Sequence, residues 1–489
     1  MKILFIVSPY YYSHPFVLRT ELLGLLYLTS SLRAHSHEVS ILDPTIERPQ
    51  KIDCKKYYYG ISEKQMKEKI FSFYPDVVGI SCHYAYSHKE AYKIASIVKE
   101  IKSDIVTVMG GLYVSIYQEK ILSDCNSIDY ALVGESEQSL LELLTELSLK
   151  AGLPKLDKID GLLYRKEGKI IKNEKKHFID NLDSIPFPAR DSVDIKRYMN
   201  NGSLVYGLGN RPALSLLTSR SCSYRCSFCN MKLVHGPHWR TRSPDNVVWE
   251  IDEIVNKYMA KHVFIMDDNF TFNPERAKMI CDKIIQKGYR FCWNTPNGIS
   301  VKKMDIELAK LMKRSGCANV CIAIESGSEY IRNEVINKRI SNEEIVNAVK
   351  CFNSAKIPVG AFIVLGMPGE KKQHFEETVR FVKRLKLSFI VVTFATPFKG
   401  TELYNNLIHN GILRDDFLLE MDNEKSPVFS TSDFSKEELL KRRKKIYAEF
   451  YMSHIPRMLA EFLGGRLNWI SLSTLKRILK EPYESGLKI

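Results

Sequence analysis

The chain has 489 residues and a mass of 56.4 kDa, which suits roughly three domains and excludes a small stapled fold. Apolar residues make up 45% and charged residues 26%, the balance of a globular protein, so disorder over most of the length is excluded. Lys and Arg outnumber Asp and Glu by 71 to 57, a formal charge of +14, which favours acidic ligands, nucleic acid or anionic surfaces without choosing among them.

In chain order, short β-branched runs at 2–7, 38–42, 77–81, 105–109 and 130–133 alternate with amphipathic stretches such as 20–34 and 88–101. This alternation predicts a doubly wound, parallel α/β domain over 1–145, with ligands at the carboxyl ends of its strands. Ser81, the pair Gly110-Gly111 and the pair Gly134-Glu135 stand at those ends. Their glycines suit a close backbone approach to a bulky ligand or, equally, tight turns. Residues 146–205 read as a connector that contains a hairpin over 161–172.

Alternation resumes over 206–404, with strands expected at 213–218, 263–266, 291–294, 319–324, 360–365 and 389–394 and helices at 244–259, 275–287 and 341–355. The expectation is a partial (β/α)6 barrel with its chemistry at the carboxyl ends of the strands. Residues 405–489 read as a helical extension, with twelve basic and six acidic residues from 436 onward. Its basic stretch, 457–480, suits packing on the barrel, covering of the barrel mouth, or peripheral contact with an anionic membrane. The longest apolar candidate for a membrane span, 22–32, is too short and too polar. The start, MKILFIVSP, reads as a strand rather than a signal peptide, so a cytoplasmic location is expected, where thiols stay reduced.

The chemical signal is SRSCSYRCSFCNM, in which Cys222, Cys226 and Cys229 are spaced CxxxCxxC directly after the first barrel strand. Three thiolates on one loop can hold three irons of a four-iron cubane and leave the fourth without a protein ligand. The competing reading is a zinc site closed by His235 or His238.

With these cysteines the chain resembles the radical S-adenosylmethionine (SAM) superfamily. That resemblance implies a [4Fe-4S] cluster whose open iron binds SAM, and reductive cleavage of SAM to a 5′-deoxyadenosyl radical. Phe228 matches the family's aromatic position beside the adenine. Asp267, Asp268 and Asn269 follow the second barrel strand, where relatives often carry GGE. Glu325 and Ser326 match the ESGS segment, and Gly366 belongs to the fifth-strand motif GAFIVLGMPGE. The resemblance makes all of these SAM contacts.

The segments DVVGISCHYAYS, VTVMGGLYVS and ALVGESEQSL make the front domain resemble the cobalamin-binding domain of one radical SAM class, with Ser81, Gly110, Gly111, Gly134 and Glu135 facing cobalamin. The DxHxxG loop that supplies a cobalt ligand in some cobalamin proteins is absent, and His14 and His83 read as ordinary surface or core histidines. Cys54, Cys82 and Cys125 read as buried small hydrophobes rather than as the second cluster of an RNA methylthiotransferase. The resemblance implies methylation of an unactivated carbon of a small-molecule or lipid substrate. Its further implication is a reducing donor such as flavodoxin or ferredoxin. Cyclisation, ring contraction and oxidation are the other outcomes in that class, and a nucleic-acid partner is not expected.

Overall fold

The computed structural model describes residues 1–15, 20–54, 56–149, 154–201, 211–419 and 426–463. The front domain is built on β1 (Lys2–Val7), β2 (Tyr10–Tyr12), β3 (Glu38–Leu42), β4 (Gln50–Asp53), β5 (Lys56–Tyr59), β6 (Val77–Ser81), β7 (Val106–Gly110) and β8 (Tyr130–Leu132). In β1 the alternation of side chains sends Leu4 and Ile6 into one apolar core and Ile3 and Phe5 into another. Burial on both faces is what a helix-covered parallel sheet requires.

The expected hairpin forms as β9 (Leu162–Lys166) and β10 (Lys169–Lys172). Rather than lying in a free connector, it is stitched antiparallel onto β8 through Tyr130–Tyr164 and its neighbours. The sheet order is β10-β9-β8-β7-β6-β1-β3. Its parallel part is doubly wound, and the strand order reverses between β1 and β6, which opens a crevice at their carboxyl ends. The small sheet β2-β5-β4 stands beside that crevice.

The second domain contains β11 (Ala213–Leu216), the short pair β12 (Ser219–Arg220) and β13 (Arg240–Thr241), then β14 (His262–Ile265), β15 (Cys292–Ile299), β16 (Cys317–Glu325), β17 (Val359–Leu365) and β18 (Phe389–Phe394). Six of these form one sheet in the order β11-β14-β15-β16-β17-β18, each pair parallel. No pairing joins β18 to β11 among the described residues, so the expected partial barrel is present and open.

Local chemistry sets the crossover helices. Ser243 and Asn273 cap Pro244–Asp252 and Pro274–Lys287, each with Pro in the first turn, and Ser341 with Glu344 forms a capping box for Asn342–Ser354. The first of these helices is shorter than expected, because it passes into a π turn at Glu253–Lys257.

The helix Lys436–Leu463 packs along the β18 edge of the open sheet. The Tyr447 hydroxyl accepts the Val392 N–H of edge strand β18, and Ile446 and Phe450 join the barrel core. A sheet edge is thereby shielded. The basic stretch 457–480 lies outside the residues whose side chains are described. Among the described residues no helix is long and apolar enough to cross a membrane.

Candidate active site between the two sheets

The cysteine loop is held at both ends. Asp267, at the end of β14, accepts the Thr218 N–H at 2.6 Å and the hydroxyls of Thr218 and Ser219 at 2.5 Å, while Arg276 donates to the Thr218 carbonyl at 2.7 Å. Both Asp267 oxygens are therefore spent on shaping the turn into the loop. Ser221 adopts φ 71° and donates to the Gly236 carbonyl. On the far side, Ser227 donates its N–H to Ile336 and its hydroxyl to Val335, each at 2.9 Å. Cys226 and Phe228 rest against the apolar cluster of Ile331, Ile336, Val364 and Met367.

Cys222, Cys226 and Cys229 are free thiols on this loop. Burial pushes all three up, Cys226 to about 11, and Asp268 adds to the effect at Cys222 and Cys229. The Lys338 ammonium works against it at each thiol. A bound metal charge would favour the thiolates against that burial. Among the described residues no three Cys, His, Asp or Glu side chains close on one point as a single ion requires. A cubane is held at separate corners, one thiolate to each iron, and the donor set fits it. His235, weighed as a zinc ligand, is turned away to Glu135 at 3.1 Å, and His238 is exposed.

The other residues expected near SAM divide into two groups. Asp268 enters no hydrogen bond or ion pair with a described residue and is half-buried beside the cysteines. Burial raises its carboxyl, His235 pulls it down and Asp267 pushes it up. Asn269 points its amide at Cys222 Sγ, 4.0 Å away, and accepts the Ser300 N–H at 3.0 Å. Glu325 ends β16 at φ 59° and is ion-paired with Lys338 at 2.6 Å, both side chains buried. Ser326 and Gly366, by contrast, are taken up locally: the Ser326 hydroxyl lies 3.1 Å from that of Thr378, and the Gly366 N–H donates to Glu370 at 2.7 Å.

The front domain meets this loop with buried charge. Glu135 accepts from Arg240 at 2.8 and 2.7 Å and lies 3.5 Å from Arg220, which bonds Glu137 at 2.6 Å. Burial raises the Glu135 carboxyl, but the Arg240 and His235 hydrogen bonds and the Arg220 charge outweigh it, leaving it at about 2. Glu135, expected to face cobalamin, thus locks the end of β8 to the segment around the cysteines. Gly134 lies in the same contact: a Cβ there would stand 3.1 Å from the Val234 carbonyl. Further along, Glu21 accepts the Ser215 N–H at 2.5 Å.

Ser81, Gly110 and Gly111 remain at the carboxyl edge of β6 and β7. Gly111 has φ 107°, and a Cβ would lie 2.5 Å from the Cys82 carbonyl oxygen, so glycine alone fits. A Cβ on Gly110 would meet nothing within 4 Å, so the chain is open at this edge. Beside it Tyr10 stacks on Tyr59 at 5.0 Å, and Tyr84 meets Tyr10 edge-on. Such faces suit the rim of a large, largely apolar ring. His83 is exposed there against Tyr84. Cys82 and Cys125 are buried as expected, whereas Cys54 is exposed, because it stands in the turn that follows the solvent-facing strand β4.

Lys338, Arg220, Arg240, Glu137 and Glu370 were not singled out from the sequence. Arg220, Glu137 and Glu370 lie within the segments SRSCSYRCSFCNM, ALVGESEQSL and GAFIVLGMPGE, whereas Lys338 and Arg240 lie in none of them.

Comparison with known proteins agrees with this geometry. The model of the radical SAM superfamily matches residues 216–382, and that of the B12 binding domain matches 16–144. The chain is 30% identical over 467 residues to an uncharacterized methyltransferase of Pyrococcus horikoshii, covering 95% of this chain and 94% of the relative. It is 28% identical to the cytidylyl-2-hydroxyethylphosphonate methyltransferase of Streptomyces wedmorensis, over 80% of this chain and 78% of the relative. The fold is shared with TsrM, a radical SAM methyltransferase of Kitasatospora setae solved with cobalamin and a [4Fe-4S] cluster, at TM-score 0.68 and 18% identity, over 84% of this chain and 78% of that one. This chain therefore belongs to the cobalamin-dependent radical SAM enzymes, with a [4Fe-4S] cluster, SAM and cobalamin as its cofactors.

Proposed function

We propose that the protein methylates an unactivated carbon of a small organic substrate bound between the front sheet and the barrel mouth. The observation that carries this reading is the buried clamp of Glu135 and Glu137 on Arg240 and Arg220, which ties the strand ends of one domain to the cysteine loop of the other. At another edge of the mouth, Lys399 lies over the Tyr117 ring at 5.7 Å. Methyltransferase relatives support the same reaction class. When bound, cluster and SAM supply a hydrogen-abstracting radical, and cobalamin supplies a transferable methyl group.

The chain's own residues hold and shield these groups. Cys222, Cys226 and Cys229 ligate the cluster, and Lys338 offsets thiolate charge at its buried side. Asp268 and Asn269 are assigned to the polar end of SAM and Phe228 to its adenine, with Glu325 held in place by Lys338. Ser81, Gly110 and Gly111 carry the cobalamin edge. The apolar cluster behind Cys226 keeps water from that flank.

Anaerobic reconstitution with cobalamin, followed by assay for 5′-deoxyadenosine and S-adenosylhomocysteine, tests the reading. Both products are expected, and neither once the three cysteines are changed to alanine. Deoxyadenosine without S-adenosylhomocysteine, in the presence of substrate, refutes methyl transfer.

A further inference from the structure

A groove of about 810 Å³ runs along the barrel between the ESGS segment and the helix Lys372–Arg384. Its walls include Ser328, Tyr330, Lys371, Arg380 and Arg384, and it continues past Lys372. Lys371, Lys372, Arg380 and Arg384 are exposed, and none forms an ion pair with a described residue. Of the neighbouring acids, Glu376 is neutralised by Lys445 at 2.7 Å and Glu329 lies 4.0 Å from Arg332. Glu377 and Asp433 are the lining carboxylates left to oppose the four cations.

The floor of this groove is also the back wall of the cysteine loop. Tyr330 faces outward, while the residues that follow it turn inward. Ile331 and Ile336 pack against Cys226 and Phe228, the Ile336 carbonyl accepts the Ser227 N–H, and Lys338 reaches Glu325 beside Cys226. One polypeptide layer, on the order of 10 Å thick, separates the cationic surface from the cluster ligands.

Resting on the reading above, we propose that this groove docks a small acidic one-electron carrier protein of the flavodoxin or ferredoxin type. One electron passes from the carrier to the oxidised cluster, with no proton or group transferred. Unpaired surface cations steer an acidic partner and raise its association rate, and salt weakens the effect.

The test is anaerobic stopped-flow reduction of the reconstituted protein, followed by bleaching of cluster absorbance, with reduced recombinant flavodoxin or with dithionite. The variant Arg380→Glu/Arg384→Glu is compared with Lys64→Glu/Lys89→Glu, an equal charge change on the front domain. For the groove variant the flavodoxin rate is expected to fall roughly tenfold or more at low salt, the difference closing at high salt. Dithionite reduction and SAM binding stay unchanged. Three results overturn the proposal: an unaltered flavodoxin rate, an equal fall in the front-domain control, or sedimentation with anionic phospholipid vesicles that the groove variant abolishes while flavodoxin kinetics persist. Failure of dithionite itself to bleach a cluster would instead sink the radical SAM reading.

Discussion

Changing Glu135 to glutamine removes one negative charge from a point where Arg240, Arg220 and His235 converge, with little change in volume. Breaking a buried ion pair from one side costs about 3–5 kcal/mol, because the remaining cation stays desolvated. Arg220 keeps Glu137 at 2.6 Å, and Arg240 keeps the carbonyls of Ile179 and His235, so the lower end, about 3 kcal/mol, applies. The carboxyl's displacement from 4.5 to about 2 gives a second figure. At about 1.4 kcal/mol per tenfold change it also amounts to ~3 kcal/mol. Since folding lowers this group, its contribution is complete above pH 4.5 and vanishes as pH falls through 2. Urea melts at a series of pH values should show E135Q destabilised by ~3 kcal/mol at pH 7, with a flatter acid limb than the parent. Gel filtration should show weaker cobalamin retention, because the clamp joins the two domains. A loss under about 1 kcal/mol with a parallel pH profile would mean that these cations do not depend on Glu135, and the clamp argument would fail.

Gly111→Ala combines a forbidden φ with a 2.5 Å contact to the Cys82 carbonyl, so a loss of about 1–3 kcal/mol and release of cobalamin on gel filtration are expected. Burial raises Glu370 to about 7 against the pull of the Gly366 N–H and Arg442, so its charged form is penalised in the folded state. Stability should therefore fall as pH rises from 4.5 to 7, by ~3 kcal/mol. Glu370→Gln should abolish that dependence in thermal melts at pH 5 and pH 8. Lys338→Met leaves Glu325 buried without a counter-charge, costing about 3–5 kcal/mol. It also withdraws a cation from Cys222 and Cys226, so iron uptake, read as cluster absorbance per chain, should require a higher pH than in the parent.

Much of the site was legible because its signals are local. Three thiols within eight residues report a metal loop whatever surrounds them, and the alternation of apolar runs with amphipathic stretches reports helix-covered parallel sheets. The partner of a buried charge is a different matter. Glu135 reads as a ligand residue because it follows a strand end, yet Arg240, which takes up its charge, stands 105 positions later. Asp267 reads as a cofactor contact for the same reason, and its oxygens go to Thr218 and Ser219, 49 and 48 positions earlier.

What the sequence alone determined is the chemistry available: a thiol loop, glycines at strand ends and two α/β domains in that order. Spacing along the chain sets these, because a loop of eight residues cannot carry its cysteines far apart. The tertiary structure decided which polar side chains stay open to a cofactor and which are consumed in holding the domains together. That choice depends on burial and on partners brought in from distant strands, and a buried charge accepts whichever counter-charge the packing delivers.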